Sequence, residues 1–290
     1  MTHPVPVFYT PYMSATTQSY SPSSGKPALV VQDWQQHWDI AILEPRQATL
    51  DELKLAHDPD YVDGVLACTL PNGFRNHDPA VAATLPWTVG AMLSAAEWAV
   101  ERYGTACAPV SGFHHAHWDR GGGFCTFNGL MVTALSMLKR DEVDHVFILD
   151  LDQHYGDGTD DILLKLPQRE AACITHFTAG QHFGRPGDAG PFFGWLKQSL
   201  RLIRGHEADR KLVLVQLGAD AHINDPLGGY LTTEDMAHRD REVLRWLNAW
   251  GIPTVWNLAG GYQRDEAGSI EPVLEIHRNS MAALFEGEDD

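Results

Sequence analysis

Short, continuous apolar runs at Val146–Leu149, Ala172–Ile174, Leu212–Leu217 and Thr254–Leu258 constrain this chain more than any other feature. Runs of that length without alternation mark strands buried on both faces. Between them lie stripes with the helical period. Leu85, Val89, Met92, Leu93, Ala96 and Val100 share one face, as do Met131, Ala134, Leu135 and Leu138. Met236, Val243, Leu244 and Leu247 form a third stripe, behind a Thr232 cap with Glu234 and Asp235 in the first turn. Core packing accounts for all three stripes. The alternation predicts an α/β chain, three layers deep (α/β/α), with a central, mainly parallel sheet and one domain over residues 1–290. An earlier strand is expected at Val5–Tyr9. The Ser-, Thr- and Pro-rich stretch from Thr10 to Pro27 reads as a long loop of the kind that borders a substrate entrance.

In an open parallel sheet, ligands bind beyond the carboxyl ends of the strands, and this chain puts its reactive side chains there. One segment runs into His114-His115, another into Asp150, Asp152 and His154, a third into Asp220, and the last into Gly260-Gly261-Tyr262. Strand alternation would set Asp150, Asp152 and His154 on one face of an extended backbone. An Asp-x-His pair can grip one metal ion, and Asp220 from a neighbouring strand can close the triangle. Two carboxylates and an imidazole suit Zn²⁺, Fe²⁺ or Mn²⁺ with a position left for water. Alone, Asp-x-His is more often a hydrogen-bonded strand end, but here it sits within DLDQHYGDG and is joined by GAD. His114 and His115 cannot both point one way from an extended segment. Asp150, Asp157 and Asp220 are the carboxylates able to orient one and raise its pKa. Tyr262, after two glycines, offers a phenol to a developing oxyanion.

The formal net charge of −17, from 21 basic and 38 acidic side chains, opposes direct nucleic-acid binding. Cysteines 68, 107, 125 and 173 are widely spaced, with no CxxC, which argues against a thiolate zinc site and a disulfide framework and favours buried free thiols. The apolar run Leu85–Val100 is interrupted by Thr88, Ser94 and Glu97 and is expected to be too short and too polar to span a bilayer. No basic segment precedes an apolar one at the start, so no signal peptide is expected. A cytoplasmic protein with no membrane association is the resulting expectation, and a homo-oligomer is compatible with it.

Four ordered blocks, GFHHAHWDRGGGFCTFN, ILDLDQHYGDGTDDIL, QLGADAHINDPLGG and LAGGY, span residues 112–262. They resemble the zinc-dependent histone deacetylase family of the arginase-deacetylase fold, in its bacterial form of histone deacetylase-like amidohydrolases. HDPDYVDGV at 57–65 and LPWTVGAMLSAAEWAV before the blocks fit as well. The resemblance implies Asp152, His154 and Asp220 as ligands of Zn²⁺, with Fe²⁺ the alternative. It implies His115 as general base and then acid, oriented by Asp157, with His114 paired to Asp150 as electrostatic support. Tyr262 would bond the substrate carbonyl and stabilise the oxyanion. Gly123 and Phe124 would line a channel for an acyl-lysine stem, with Leu227 at its rim. Asp150 and the backbone near Asp152 and His154 would also hold a structural monovalent cation such as K⁺, with Thr175 as a further ligand. Cys125 would lie near the pocket's foot, where packing is its role.

The implied activity is hydrolysis of an acyl group from an amine by water activated at Zn²⁺. The implied substrate is acyl-lysine in a peptide or protein, with acetylpolyamine the alternative. Leucine at 227 favours lysine, because polyamine-deacetylating relatives carry an acid there. The segment QHFGRPGDAGPFFGWL passes quickly into a helix, which leaves one aromatic channel wall to Phe183 or to nothing and widens the pocket. Tyr155 stands for the family's second histidine and Ala259 for its third glycine. A dimanganese ureohydrolase is a weaker reading, because Asp157 lies three residues past His154 and Ala221-His222 follows Asp220. A non-catalytic acyl-lysine binding module is opposed by the presence of every chemical group together.

Overall fold

Among the residues that the computed structural model describes, 4–17 and 19–285, seven strands form one sheet in the spatial order β2-β1-β3-β7-β6-β4-β5. They are β1 (Val5–Phe8), β2 (Ile40–Leu43), β3 (Thr105–Cys107), β4 (His145–Asp150), β5 (Ile174–Thr178), β6 (Lys211–Gln216) and β7 (Thr254–Asn257). Every pairing is parallel, so the expected mainly parallel sheet is wholly so. One face is covered by α2 (Leu50–Ala56), α3 (Pro59–Leu66), α4 (Pro79–Arg102), α5 (Gly129–Lys139) and α6 (Asp157–Lys165). The other is covered by α1 (Lys26–His37), α8 (Ala189–Gly205), α9 (Thr233–Ala249) and α10 (Glu271–Ala282). The short α7 (Gln168–Ala171) buries none of its residues.

The apolar runs follow from this layering. In β4, Val146 and Ile148 join one core with Leu212, Leu214 and Val255, while Phe147 and Leu149 join the other with Val213, Val215 and Trp256. Each fully buried aliphatic or aromatic side chain contributes roughly 1.5–3 kcal/mol, so neither face can be polar. The strand expected at Ala172–Ile174 begins at Ile174 instead. Ala172 caps α7 and the Cys173 amide donates to the Glu170 carbonyl at 3.0 Å. As an edge strand with partly exposed Thr175, His176 and Phe177, β5 lacks the apolar run that betrays a central one.

The extended backbone expected through His154 is a second correction. β4 ends at Asp150 and the chain bends over the next residues. Asp150 Oδ1 accepts from the Asp152 amide (3.2 Å) and Asp152 Oδ1 from the His154 amide (2.9 Å). Short acidic side chains that bond the backbone two residues on make turns rather than strands.

At 24 residues, α4 is longer than the run read from the sequence and, by length and composition alone, long and apolar enough to cross a membrane. Its apolar positions are packed against α5, β1, β3 and β7. It approaches the segment before α2 so closely that a Cβ on Gly90 would lie 1.9 Å from the Arg46 carbonyl oxygen. Gly90→Ala would gain up to about 1 kcal/mol of helix propensity but force a backbone shift of the overpacking kind, roughly 1–3 kcal/mol. The clash is with backbone and wins: urea denaturation of Gly90→Ala is expected to show a net loss of stability. A midpoint equal to or above wild type would contradict this close packing.

Candidate active site

The bend after β4 and the turns after β6 and β7 meet at one point. Asp152 and His154 come from the first, and Asp220 from a 3₁₀ turn at Ala219–Ala221. One ligand atom from each of the three lies within 4.8 Å of the other two. His154 Nδ1 is 3.2 Å from Asp152 Oδ1 and 3.1 Å from Asp220 Oδ2. Backbone amides aim both acids: Gly260 N donates to Asp152 Oδ2 (2.9 Å) and Gln153 N to Asp220 Oδ1 (3.2 Å). Burial, reinforced by the neighbouring Asp152 charge, pushes Asp220 up to about 7. Burial opposes a proton on His154, yet its bonds to Asp152 and Asp220 outweigh that and raise it to about 11. Two buried carboxylates sharing one imidazole favour a positive charge among them, and two oxygens with one nitrogen suit a divalent ion of the Zn²⁺, Fe²⁺ or Mn²⁺ type. Among the described residues this is one group of three such ligands, not the larger set two metals would need.

His114 and His115 stand beside this trio. Gly112 and Phe113 both have left-handed backbone, φ 88° and 102°, so the segment is not extended. The two successive rings lie 4.0 Å apart rather than on opposite faces. His114 Nδ1 is 2.8 Å from Asp150 Oδ2, both side chains being buried. Burial disfavours the His114 cation, but the Asp150 and Asp152 charges prevail and raise its pKa to about 9. His115 Nδ1 is 2.6 Å from Asp157 Oδ1, in the first turn of α6. Burial and the adjacent His114 charge lower the His115 pKa, outweighing Asp157. Two neighbouring imidazoles are thus pushed apart, one towards a fixed cation and one towards a neutral base.

The turn after β7 carries Tyr262. Ala259 takes φ 46° and Gly261 φ 138°, and Gly260 touches the acids directly: a Cβ there would lie 2.2 Å from Asp220 Oδ2. The Tyr262 amide donates to Asp225 Oδ2 (2.8 Å), and burial with the carboxylates around it pushes its phenol pKa upward, keeping it a neutral donor. Lys26, at the start of α1 and wholly buried, donates from Nζ to the carbonyls of Ala259 (2.6 Å) and Gly260 (3.0 Å). Burial lowers its pKa to about 8 against the pull of Asp220 and Asp152. Sequence reasoning missed Lys26 and Asp225. A lysine at the edge of a Ser-rich loop has no pattern that announces burial, whereas Asp225 lies inside the GADAHINDP block.

An open cleft of about 820 Å³ reaches His115, His154 and Asp157, with Gln153, Phe183 and Arg185 on its walls. Gly123 leaves room for His115, since a Cβ would fall 2.4 Å from its Cδ2. Phe124, also left-handed at φ 65°, places its ring 5.9 Å from that of Tyr262. Leu227 is 42% exposed, its amide bonded to Asp225 Oδ1. Cys125 accepts the Phe113 amide at 3.2 Å, borders a small cavity of about 50 Å³ and has its thiol pushed up to about 12 by burial. Thr175 is a correction: on edge strand β5 it pairs with Phe147 and bonds His145, while Thr178 is the residue in register with Asp150. Around the Asp150 carboxylate stand His114 Nδ1 (2.8 Å), Gln216 Nε2 (3.3 Å) and His176 Nε2 (3.7 Å).

The model of the histone deacetylase domain matches residues 26–183 and 199–274 of this chain. Histone deacetylase 2 of Arabidopsis thaliana is 26% identical over 265 residues, covering 81% of this chain and 67% of the plant protein. The crystal structure of the HDA15 HD domain superposes with a TM-score of 0.78 at 18% identity, covering 100% of this chain and 91% of the other. The acetylpolyamine aminohydrolase of Burkholderia pseudomallei superposes with a TM-score of 0.73 at 18% identity, covering 97% and 98%. These superpositions establish the fold.

Because Gly260 touches both acids of the trio, Gly260→Ala is expected to weaken divalent-metal retention by roughly tenfold or more, the effect of disturbing a ligand's support. Metal content after dialysis, with folding checked by circular dichroism, measures this. Wild-type retention by a folded variant would refute the packing argument.

Proposed function

The chain belongs to the histone deacetylase family, and from that membership we propose that it is a zinc-dependent amidohydrolase, one catalytic unit over residues 1–290, that removes an acetyl or related acyl group from an amine. We favour acyl-lysine in a peptide or protein as the substrate. The observation that carries the reading is the convergence of Asp152, His154 and Asp220 beside an imidazole, His115, held by the carboxylate of Asp157.

When bound by the trio, Zn²⁺ supplies a Lewis acid for the acyl carbonyl and lowers the pKa of water. His115 has Nδ1 committed to Asp157, so Nε2 is the atom that takes the water's proton and returns it to the leaving amine. His114, held cationic by Asp150, adds positive charge beside the reacting carbonyl. Tyr262 donates its phenolic proton in a hydrogen bond to the oxygen as charge develops there, a contribution of roughly 2.7–4 kcal/mol for such a donor. The products are a carboxylate and a free amine. Gly123 and Phe124 flank the stem and Leu227 forms the rim. A second reading takes an acetylpolyamine, the substrate in the name of the Burkholderia neighbour. Exposed, apolar Leu227 offers nothing to a distal ammonium and supports the first.

Acetate release from an acetyl-lysine peptide by zinc-loaded protein tests the reading. Removal of the metal by a chelator should abolish release and added Zn²⁺ restore it. Tyr262→Phe should lower kcat by about 10²–10³ with KM little changed. Since His115 must be neutral and its pKa is depressed below the ordinary 6.5, kcat/KM should fall on the acid side only below pH 6.5. Asp157→Asn removes a group that raises His115, so it should move that limb to still lower pH and reduce kcat. A limb displaced to higher pH would assign the proton transfer elsewhere, and peptide binding without release would leave a binding module.

A further inference from the structure

The loop between β1 and α1 is built rather than slack. Near its start, Tyr12 stacks on Trp87 of α4 with centroids 5.2 Å apart. Its end is fastened by the two Lys26 bonds to the turn that carries Tyr262. Between these anchors the Ala15 amide donates to the Ser24 carbonyl (2.9 Å), and hydroxyls pair at Thr17–Ser24 (3.1 Å) and Ser21–Ser23 (2.6 Å). This frame presents Tyr20. Its ring lies near-parallel to that of Tyr262, 6.4 Å between centroids at 16°, and Phe124 approaches Tyr262 from 5.9 Å. Tyr262 is 8% exposed but Tyr20 is 57% exposed. Tyr20 is not an isolated surface ring: it continues the aromatic group of Tyr262 and Phe124 outward, and an exposed face of such a group can pack against an arriving aliphatic chain.

Phe183 is differently engaged. Its ring meets Phe192 and Trp195 edge-on, each at 5.8 Å, and borders Tyr230. It belongs to the packing under α8, on the side where the cleft is open.

We propose that Tyr20 is a specificity-determining residue: with Phe124 it forms the aromatic side of the substrate channel and packs against the aliphatic stem of a straight-chain acyl-amine. The inference rests on the amidohydrolase reading above. Tyr20 and Phe124 are both uncharged, so this side of the channel selects methylene groups rather than a charge. Tyr20 touches no reacting atom, and its contribution is to binding.

Steady-state kinetics on an acetyl-lysine peptide should separate the walls. Tyr20→Ala is expected to raise KM roughly five- to tenfold, the scale of one aromatic contact, with kcat within about twofold. Tyr20→Phe should leave KM within about twofold of wild type, as should the remote control Leu202→Ala, exposed on α8. Calorimetric titration of the peptide into Tyr262→Phe, with and without Tyr20→Ala, gives the same ratio as a Kd without turnover. A Tyr20→Ala variant with unchanged KM and Kd overturns the wall and leaves the hydrolase intact. So does one that loses kcat and melting temperature together, which would mark a structural role. Tyr20-dependent binding without hydrolysis keeps the wall and overturns the hydrolase. Neither binding nor hydrolysis by wild type overturns both.

Discussion

Three carboxylates, Asp150, Asp152 and Asp220, are buried within a few ångströms at one end of the sheet, and that concentration of negative charge organises everything around it. Removing a carboxylate from water costs several kcal/mol unless partners compensate. The partners come from every layer. His114 answers Asp150, His154 bridges Asp152 and Asp220, and Gly260 and Gln153 contribute amides. Wholly buried Lys26 comes from α1. Wholly buried Arg239 of α9 is paired with Asp240 (2.7 Å) and donates to the carbonyls of Leu151 and Gly218, holding the backbone that carries the acids. A helix that covers the sheet, α1, is thus also a source of its counter-charge.

The metal-ligand trio and the exposed residues near it sit on different kinds of structure. The groups around the trio are tied by short bonds to backbone that is itself unusual, with Phe113, Phe124 and Ala259 all in left-handed conformations. Such conformations are costly and persist where surroundings over-determine them. Towards the mouth the bonds thin out, leaving an open cleft and exposed Tyr20 and Leu227. Tight hydrogen bonding is concentrated around the trio.

Legibility in the sequence follows the same division. The central strands β4, β6 and β7 were readable because burial on both faces forbids polar residues, and α9 because its capping box is local, Thr232 with Asp235. The pairing of His114 with Asp150 and of His115 with Asp157 was readable from the blocks that carry them. Edge strands β2 and β5 were not readable as they stand, since a strand with one neighbour tolerates the partly exposed residues of Ile40–Leu43 and Thr175–Phe177. The bend after Asp150 hid inside an apparently extended pattern because its cause is side-chain bonding to backbone. Lys26, Arg239 and Tyr20 were invisible for a simpler reason: their roles depend on partners far away in the chain.

That distance has a kinetic side. Lys26 meets Ala259 and Gly260 across separations of 233 and 234 residues, among the longest closures the chain makes. Contacts so remote in sequence are entropically expensive until most of the intervening chain has condensed. The turn that steadies Asp152 and carries Tyr262 therefore takes its final shape late, after the sheet and both helical layers are in place.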